Sequence, residues 1–313
     1  MRKVFLFIFL FQSIAFSWGS LGHQTAAQVA WSLLDSPTQK AIVEILGQDD
    51  FVAASTWADE TRGLPEWKFT IWYHFEKAPD NYTYLDNLKR QDDRTRKLGG
   101  LIESLFVAES MLKSDQASAT EKKNALKFII HLVADIHQPL HTGRVEDNSG
   151  NKIPKMWLGK EFTLHSVWDS QIIYLGRKDL LDPTNLSLSS KKYSDFLFQE
   201  FKNYQPDPQA LIRYDAWMHE SMVPRKDAYD FKDENEEQYT QRFIKVVDER
   251  VFLAGVRLAY TLNRILVKSQ TPQPLMQLKQ AIISIVGDFY QFVSLRPRPQ
   301  TTLPEAPSLK SFN

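Results

Sequence analysis

His131 and Asp135 stand four residues apart in the string His131-Leu-Val-Ala-Asp135-Ile-His137-Gln-Pro-Leu-His141, and His165 and Asp169 repeat the spacing. On a helix that spacing puts both side chains on one face, one turn apart, where an imidazole nitrogen and a carboxylate oxygen can reach the same metal ion. A single pair of this kind is more commonly a hydrogen-bonded structural pair. Two pairs bracketing a further histidine, His141, which follows the helix-ending Pro139, favour metal binding. Upstream, Trp57-Ala58-Asp59 is followed one helical turn later by Arg62, and Trp72-Tyr73-His74-Phe75 adds another histidine. Five of the seven histidines (His23, His74, His131, His141 and His165) fall in such segments, an association that scattered surface histidines would not show. The other two, His137 and His219, are expected to be structural; His137 lies two positions from Asp135 and therefore on another helix face.

Helices must position these groups. Apolar spacing predicts helices over Gln24 to Leu34, Pro37 to Leu46 behind the cap residue Ser36, Arg94 to Leu112, Thr120 to Ile136, His165 to Leu175, Tyr193 to Tyr204, Pro208 to Met222 and Glu236 to Leu266. The expected fold class is all-α: one large helical domain with a short hairpin over Lys152 to Phe162, turning at Gly159, and an extended stretch over Phe69 to Phe75. From Thr142 to Ile153 the chain is rich in Gly, Asn, Asp and Ser, a loop joining the two His/Asp helices and placed to line a site. Beyond Leu266 the character changes: Ser269 to Pro274 looks like a linker, Leu275 to Phe292 an amphipathic helix, and Arg296 to Asn313 a Pro-rich disordered tail.

With 313 residues, 43% of them hydrophobic and 24% charged, the chain is long enough for a sizeable core. Lys plus Arg and Asp plus Glu each number 38, which argues against nucleic-acid binding by bulk positive charge; any attraction for phosphate must be local. There is no cysteine, so thiolate metal sites and lipoprotein anchoring are excluded and any zinc must use nitrogen and oxygen ligands. Arg2 and Lys3, an apolar run from Val4, and the small residues Ala15 and Ser17 form a secretory leader, residues 1–17, whose cleavage would make Trp18 the first residue. The apolar run is too short for the roughly 20 residues of a membrane-spanning helix, so the protein is expected to be exported, periplasmic or secreted, without a stable membrane anchor.

Taken together, Trp18-Gly-Ser-Leu-Gly-His23, Trp57-Ala-Asp59 with Arg62, His74-Phe75, His131-x3-Asp135-x5-His141 and Leu164-His165-x2-Trp168-Asp169 resemble the three-zinc S1/P1-type single-strand nucleases of fungi, plants and bacteria, whose scaffold is shared with zinc-dependent bacterial phospholipase C. Trp217-x2-Glu220-Ser221 and the run Leu253 to Ala259 resemble later segments of that family, so the likeness spans a domain of residues 18–267 and leaves 268–313 as an extension. The resemblance implies three zinc ions per chain. Asp59, His74, His131 and Asp135 would hold one, with Asp135 bridging to a second held by the Trp18 amine and carbonyl and by His23; His141, His165 and Asp169 would hold the third. It also implies a monomeric enzyme that hydrolyses single-stranded DNA and RNA and releases 3′-phosphate from nucleotides. Asp59 and Arg62 would be its catalytic residues, Arg62 as a clamp on phosphate oxygens, with Phe75 as base-stacking ring and Asn151 as a polar contact.

Two departures affect substrate choice. The family's Gly-Gly-Asn loop motif appears as Asn148-Ser149-Gly150-Asn151, with one extra residue after His141, and Lys77, next to Glu76, stands where some members carry a base-reading acid. Phospholipase C is the alternative function, and would need an apolar surface for acyl chains, which the Leu275 to Phe292 helix alone could supply. A non-enzymatic zinc-binding protein is the second alternative; a degenerate site would lack some of the proposed ligands, and none is missing.

Overall fold

A computed structural model of the protein describes residues 18–90, 98–207, 210–230 and 234–266. Eleven helices follow one another among these residues: α1 (Ser20–Leu33), α2 (Ser36–Leu46), α3 (Trp57–Thr61), α4 (Tyr84–Lys89), α5 (Leu101–Lys113), α6 (Ala119–Asp135), α7 (Leu164–Ser166), α8 (Ile172–Gly176), α9 (Leu186–Glu200), α10 (Tyr214–Ala228) and α11 (Glu236–Leu266). Two strands, β1 (Pro154–Trp157) and β2 (Lys160–Thr163), pair antiparallel with Trp157 opposite Lys160. The hairpin turns on Leu158 and Gly159, both at positive φ, as a two-residue connection requires. The fold is all-α, and among the described residues no helix is long and apolar enough to cross a membrane.

Helix α6 is the centre of the arrangement. Ser118 and Glu121 form a reciprocal capping box at its start, and every residue from Asn124 to Asp135 is buried. Its Ile129, Ile130, Leu132 and Val133 pack with Leu101, Ile102 and Leu105 of α5 and with Trp67, Trp217 and Leu258 in one core. Ala134 belongs to a second core, built from Trp18, Leu21, Trp157, Trp168, Tyr193, Val247 and Val251. His131 and Asp135 therefore sit at the seam between the two. Helix α1 crosses α11 closely: a Cβ on Gly255 would lie 2.5 Å from the Cβ of Val29, so only glycine fits the contact.

A buried polar network holds the end of α6. The His137 ring donates from Nδ1 to the Val133 carbonyl at 2.7 Å and accepts at Nε2 from Arg257 at 2.9 Å, while Arg257 pairs with Glu220 at 2.7 Å. Ser221 donates to the Ile136 carbonyl at 2.6 Å and accepts from Arg250 at 2.8 Å. His137 is thus the hydrogen-bonded structural residue expected. His219 likewise accepts the backbone N–H of Tyr84 at 3.2 Å.

Several boundaries differ from the sequence reading, among them the end of α9 at Glu200 rather than Tyr204 and the start of α10 at Tyr214 rather than Pro208, a separate 3₁₀ turn covering Ala210–Ile212. Helix α1 starts at Ser20 rather than Gln24, which places His23 on it. Helix α5 starts at Leu101 because Gly99 is in the left-handed region at φ 93°; residues 94–97 of the expected helix lie outside the described residues. Helix α9 starts at Leu186, where Asn185 accepts the Leu188 N–H at 2.9 Å. Helix α10 runs through Pro224 to Ala228 instead of stopping at Met222, because Arg225, beyond the proline, donates to the carbonyls of Ala78 and Thr142 and to Asp80. The segment expected to be extended, Phe69 to Phe75, is instead a 3₁₀ helix over Lys68–His74. The leader and the extension, residues 1–17 and 268–313, lie outside the described residues.

Glu109 ties three elements together: it accepts from Lys113 at 2.7 Å, from the Tyr214 hydroxyl and from Arg264. Burial opposes its ionisation, but Arg264 and Lys113 outweigh burial and hold its carboxyl below the usual range. Glu109→Ala should cost about 3 kcal/mol by leaving Arg264 without its partner. Because the folded pKa is depressed, the contribution is present above the unfolded carboxylate pKa and lost as pH falls through the folded value. The difference in urea-unfolding free energy between wild type and variant should hold down to about pH 4.5 and shrink below it.

Candidate metal centre

Seven elements bring the candidate ligands together. Helix α1 supplies His23, α3 supplies Asp59, the 3₁₀ helix Lys68–His74 ends on His74, and α6 supplies His131 and Asp135. A 3₁₀ turn over Pro139–Thr142 carries His141, and His165 lies on α7. Asp169 sits in a π-helical turn, Val167–Gln171, that interrupts the helix expected over His165 to Leu175. Such wide turns frequently occur at functional sites.

The eight side chains form three groups, in each of which one ligand atom per residue lies within 4.8 Å of the others: His23, His131 and Asp135; Asp59, His74 and His131; and His141, His165 and Asp169. All eight are buried. Asp135 faces two ways: Oδ2 lies 3.1 Å from His74 Nδ1 and 3.2 Å from His131 Nε2, whereas Oδ1 lies 3.4 Å from His23 Nε2. Asp59 Oδ1 is 3.5 Å from His74 Nδ1 and 3.7 Å from His131 Nε2. In the third group His165 Nε2 is 3.5 Å and His141 Nε2 3.8 Å from the Asp169 carboxylate.

Hydrogen bonding behind the rings decides which nitrogens face inward. His131 Nδ1 donates to the Ser55 carbonyl at 2.6 Å, His165 Nδ1 to the Ser149 carbonyl at 2.7 Å, and His141 Nδ1 to the His74 carbonyl. A neutral ring that donates from Nδ1 carries its lone pair on Nε2, and these lone pairs point at carboxylate oxygens. Asp59 Oδ1, Asp135 Oδ1, His141 Nε2 and Asp169 Oδ2 are buried without a hydrogen-bond partner among the described residues. Acceptors facing acceptors in a dry site call for cations, and the donor set fits a divalent metal that takes nitrogen and oxygen ligands. With protein atoms alone, burial drives the His74 ring down to about 4, while for His131 the carboxylates of Asp135 and Asp59 overcome burial and raise it to about 9.

A model of the S1/P1 Nuclease family matches residues 18–267. The chain belongs to that family. It is 28% identical to Endonuclease 2 of Arabidopsis thaliana over 263 residues, which cover 79% of this chain and 90% of the relative. It is 31% identical to Nuclease S1 of Aspergillus oryzae over 192 residues, covering 60% and 64%, and 30% identical to Nuclease P1 of Penicillium citrinum over 156 residues, covering 49% and 57%. The protein is a nuclease, a phosphodiester hydrolase.

Around the nuclease's three groups stand the remaining residues singled out from the sequence. Trp18 is fully buried in the second core, and the N–H of the next residue, Gly19, donates to the Asp169 carbonyl at 2.7 Å, pinning this end of the domain beside the third group. Arg62 lies 3.2 Å from Asp59. Phe75, half-buried, follows His74 directly. Asn151 is not joined to the ligands by a hydrogen bond: its amide donates to the Asn148 carbonyl at 2.9 Å.

The contacts of Lys77, and any role for Gln138, escaped the sequence reading. Lys77 is buried, with Nζ 4.1 Å from the centre of the Phe75 ring and 2.5 Å from Asn148 Oδ1; burial lowers its ammonium to about 8. Gln138, fully buried, donates from Nε2 to Asp169 Oδ1 at 2.6 Å and accepts the Leu140 N–H. Its only sequence signal was its place between His137 and Pro139. Groups that orient a ligand carboxylate are typically worth 10- to 100-fold in metal affinity. Gln138→Ala should weaken metal binding at the group of Asp169 by about that factor and leave the groups around Asp135 loaded; competition with a graded chelator would resolve the one weak site.

Proposed function

We propose that this nuclease hydrolyses single-stranded DNA and RNA at a centre of three zinc ions, releases 3′-phosphate from nucleotides, and is exported by its leader. The observation that carries the reading is the presence of three buried imidazole and carboxylate groups, two of them joined through His131 and the two-faced Asp135, with Phe75 directly following the ligand His74 in sequence. Asp59, His74, His131 and Asp135 would hold one zinc, Asp135, His23 and the amine and carbonyl of mature Trp18 a second, and His141, His165 and Asp169 the third. Bound zinc supplies Lewis-acid polarisation of phosphate oxygens and lowers the pKa of water.

The chain's own residues do the rest. Arg62, braced by Asp59, offers guanidinium N–H donors to phosphate oxygens, where charge develops in the transition state. Phe75 offers a flat face to an unpaired base, which a duplex keeps stacked within itself. Lys77, over the same ring, presents N–H donors rather than acceptors to the edge of a base. Phosphate attraction is local to the centre, which accommodates a chain with no net charge.

The test is an assay of leader-free protein on single-stranded DNA, RNA, duplex DNA and phosphatidylcholine, with and without chelator. Single strands should be cut faster than duplex, about three zinc ions should be found per chain, and chelation should abolish cleavage. Phe75→Ala should mainly raise KM. Full activity after metal removal, or preferential cleavage of phosphatidylcholine, would overturn the proposal.

The role of Trp18 is tested separately. One extra residue ahead of it would displace the amine by about 3.5 Å and make the Trp18 nitrogen an amide, whereas a zinc–nitrogen bond measures about 2 Å. A form with one additional amino-terminal Gly should fold with an unchanged melting temperature in chelator, bind less zinc and lose most cleavage. Equal zinc content and equal rates in both forms would show that Trp18 is not a ligand.

A further inference from the structure

The 3₁₀ helix Lys68–His74 repeats every three residues, so side chains at i and i+3 stand in line along it. One line, Trp67, Thr70 and Tyr73, faces the interior: Trp67 and Thr70 are fully buried, and Tyr73 packs on the first core. The next line is Phe69, Trp72 and Phe75, three aromatic residues at the same spacing. Phe69 leans back on the rings of Trp67 and Tyr73, with centres 6.3 and 6.0 Å away. Trp72 lacks that support. It is half-buried, like Phe75 it packs on neither hydrophobic core, and the one aromatic ring it meets among the described residues is that of Phe75. The two ring centres lie 6.1 Å apart and the planes cross at 86°, an edge-to-face pair. A bulky indole that contributes to neither core is not explained by the stability of the fold.

Other contacts fix the backbone on which the pair stands. The chain leaves the 3₁₀ helix at Phe75 in an extended conformation, φ −148° and ψ 159°. The Phe75 carbonyl accepts the Leu101 N–H at 3.3 Å, and the Trp72 carbonyl accepts the Gly100 N–H at 2.9 Å. Gly99, just before this stitch, lies so close that a Cβ there would come within 2.5 Å of Phe75 Cδ2. Lys77, bonded to Asn148, places its ammonium 4.1 Å from the ring centre. Among these neighbours Trp72 is the aromatic one, and it supplies the broad contact that opposes rotation of the Phe75 ring about its side-chain bonds.

We propose that Trp72 is a positioning residue for single-strand cleavage: it holds the Phe75 ring in place for an incoming unpaired base and does not itself touch the base. The inference rests on the reading that Phe75 stacks such a base. A ring free to change rotamer must be ordered when the base arrives, which typically weakens binding about 2- to 10-fold, and an edge-to-face neighbour removes that loss. Trp72 acts through Phe75 alone, so its effect belongs to substrate binding and leaves the three ligand groups as they are.

The experiment is a double-mutant cycle on the zinc-loaded protein, with an oligothymidylate of about ten nucleotides as substrate. Trp72→Ala should raise KM roughly 2- to 10-fold with kcat and zinc content unchanged, and Trp72→Phe, which keeps a ring beside Phe75, should stay within about 2-fold of wild type. In a Phe75→Ala background the Trp72→Ala change should be silent, within about 2-fold, because the ring it serves is gone. Equal losses from Trp72→Ala in both backgrounds, or no loss beside an intact Phe75, would overturn the proposal. So would a fall in kcat or zinc content as large as the rise in KM, the mark of a structural role. An unchanged KM in Phe75→Ala refutes base stacking and the proposal with it, whereas a raised KM in Phe75→Ala beside an unchanged one in Trp72→Ala refutes the role of Trp72 alone. Should the wild type cleave no single strand, the same cycle is run on affinity by fluorescence anisotropy of the dye-labelled oligothymidylate, and absence of coupling or of binding sinks the proposal.

Discussion

The carboxylate of Asp135 imposes the constraint on which the rest of the structure depends. It is fully buried, at the seam between two hydrophobic cores, with histidines on both sides. An ionised carboxylate in that position is tolerable only when positive charge surrounds it. Nearby imidazoles supply some: burial pushes the Asp135 carboxyl up, but His131 and His141 outweigh it and hold it well below the usual range. The cluster holds three carboxylates, Asp59, Asp135 and Asp169, and several of their oxygens have no hydrogen-bond partner among the described residues. The fold therefore creates a deficit of positive charge at its centre, and metal ions would meet it. Binding of that kind contributes to folding as well as to chemistry.

Rigidity around this point follows from where α6 ends. The helix delivers His131 and Asp135 and then stops, and Arg250 and Arg257 of α11 fasten its end through Ser221 and His137. Pro139 begins the turn that brings His141 round toward the third group, and Gln138, just before it, reaches Asp169. One short string, His131 to His141, thus takes part in all three groups and holds a ligand that arrives from α7 and its π-turn. Placement of the ligands relies on helix ends and on bonds to backbone carbonyls, which fix each imidazole's tautomer as well as its direction.

Much of this was legible in the residue types. Two His and Asp pairs at four-residue spacing pointed to His131, Asp135, His165 and Asp169, because helical periodicity converts spacing into direction, and histidines concentrated near them drew in His23, His74 and His141; Asp59 was implied by the family resemblance. The long helix Glu236–Leu266 was legible for the same reason. What was not legible depended on contacts between distant segments. Helix α10 passes Pro224 because Arg225 finds carbonyls from two other segments, information that no window around Pro224 contains. Gln138 and Lys77 act through partners 31 and 71 residues away, and a glutamine or a lysine has no spacing signature of its own. Asn151 shows the converse: a residue assigned by its place in a motif turns its amide to the loop's own backbone.

The loop Asn148 to Asn151 shows how such long-range contacts hold strained backbone. Asn148 and Ser149 lie at φ 54° and 61°, in the left-handed region, which costs a serine about 1 kcal/mol or more. The conformation aims the Ser149 carbonyl at His165 Nδ1, so the strain is coupled to the orientation of a candidate ligand. Three contacts keep it in place. Lys77 holds the Asn148 side chain, Asp147 accepts the Gly150 N–H at 2.7 Å, and Gly143 lies against Ser149 so closely that a Cβ there would come within 2.6 Å of the Ser149 Cα. The buried ammonium of Lys77 therefore serves both places at once, bonding the Asn148 side chain in the loop and covering the Phe75 ring.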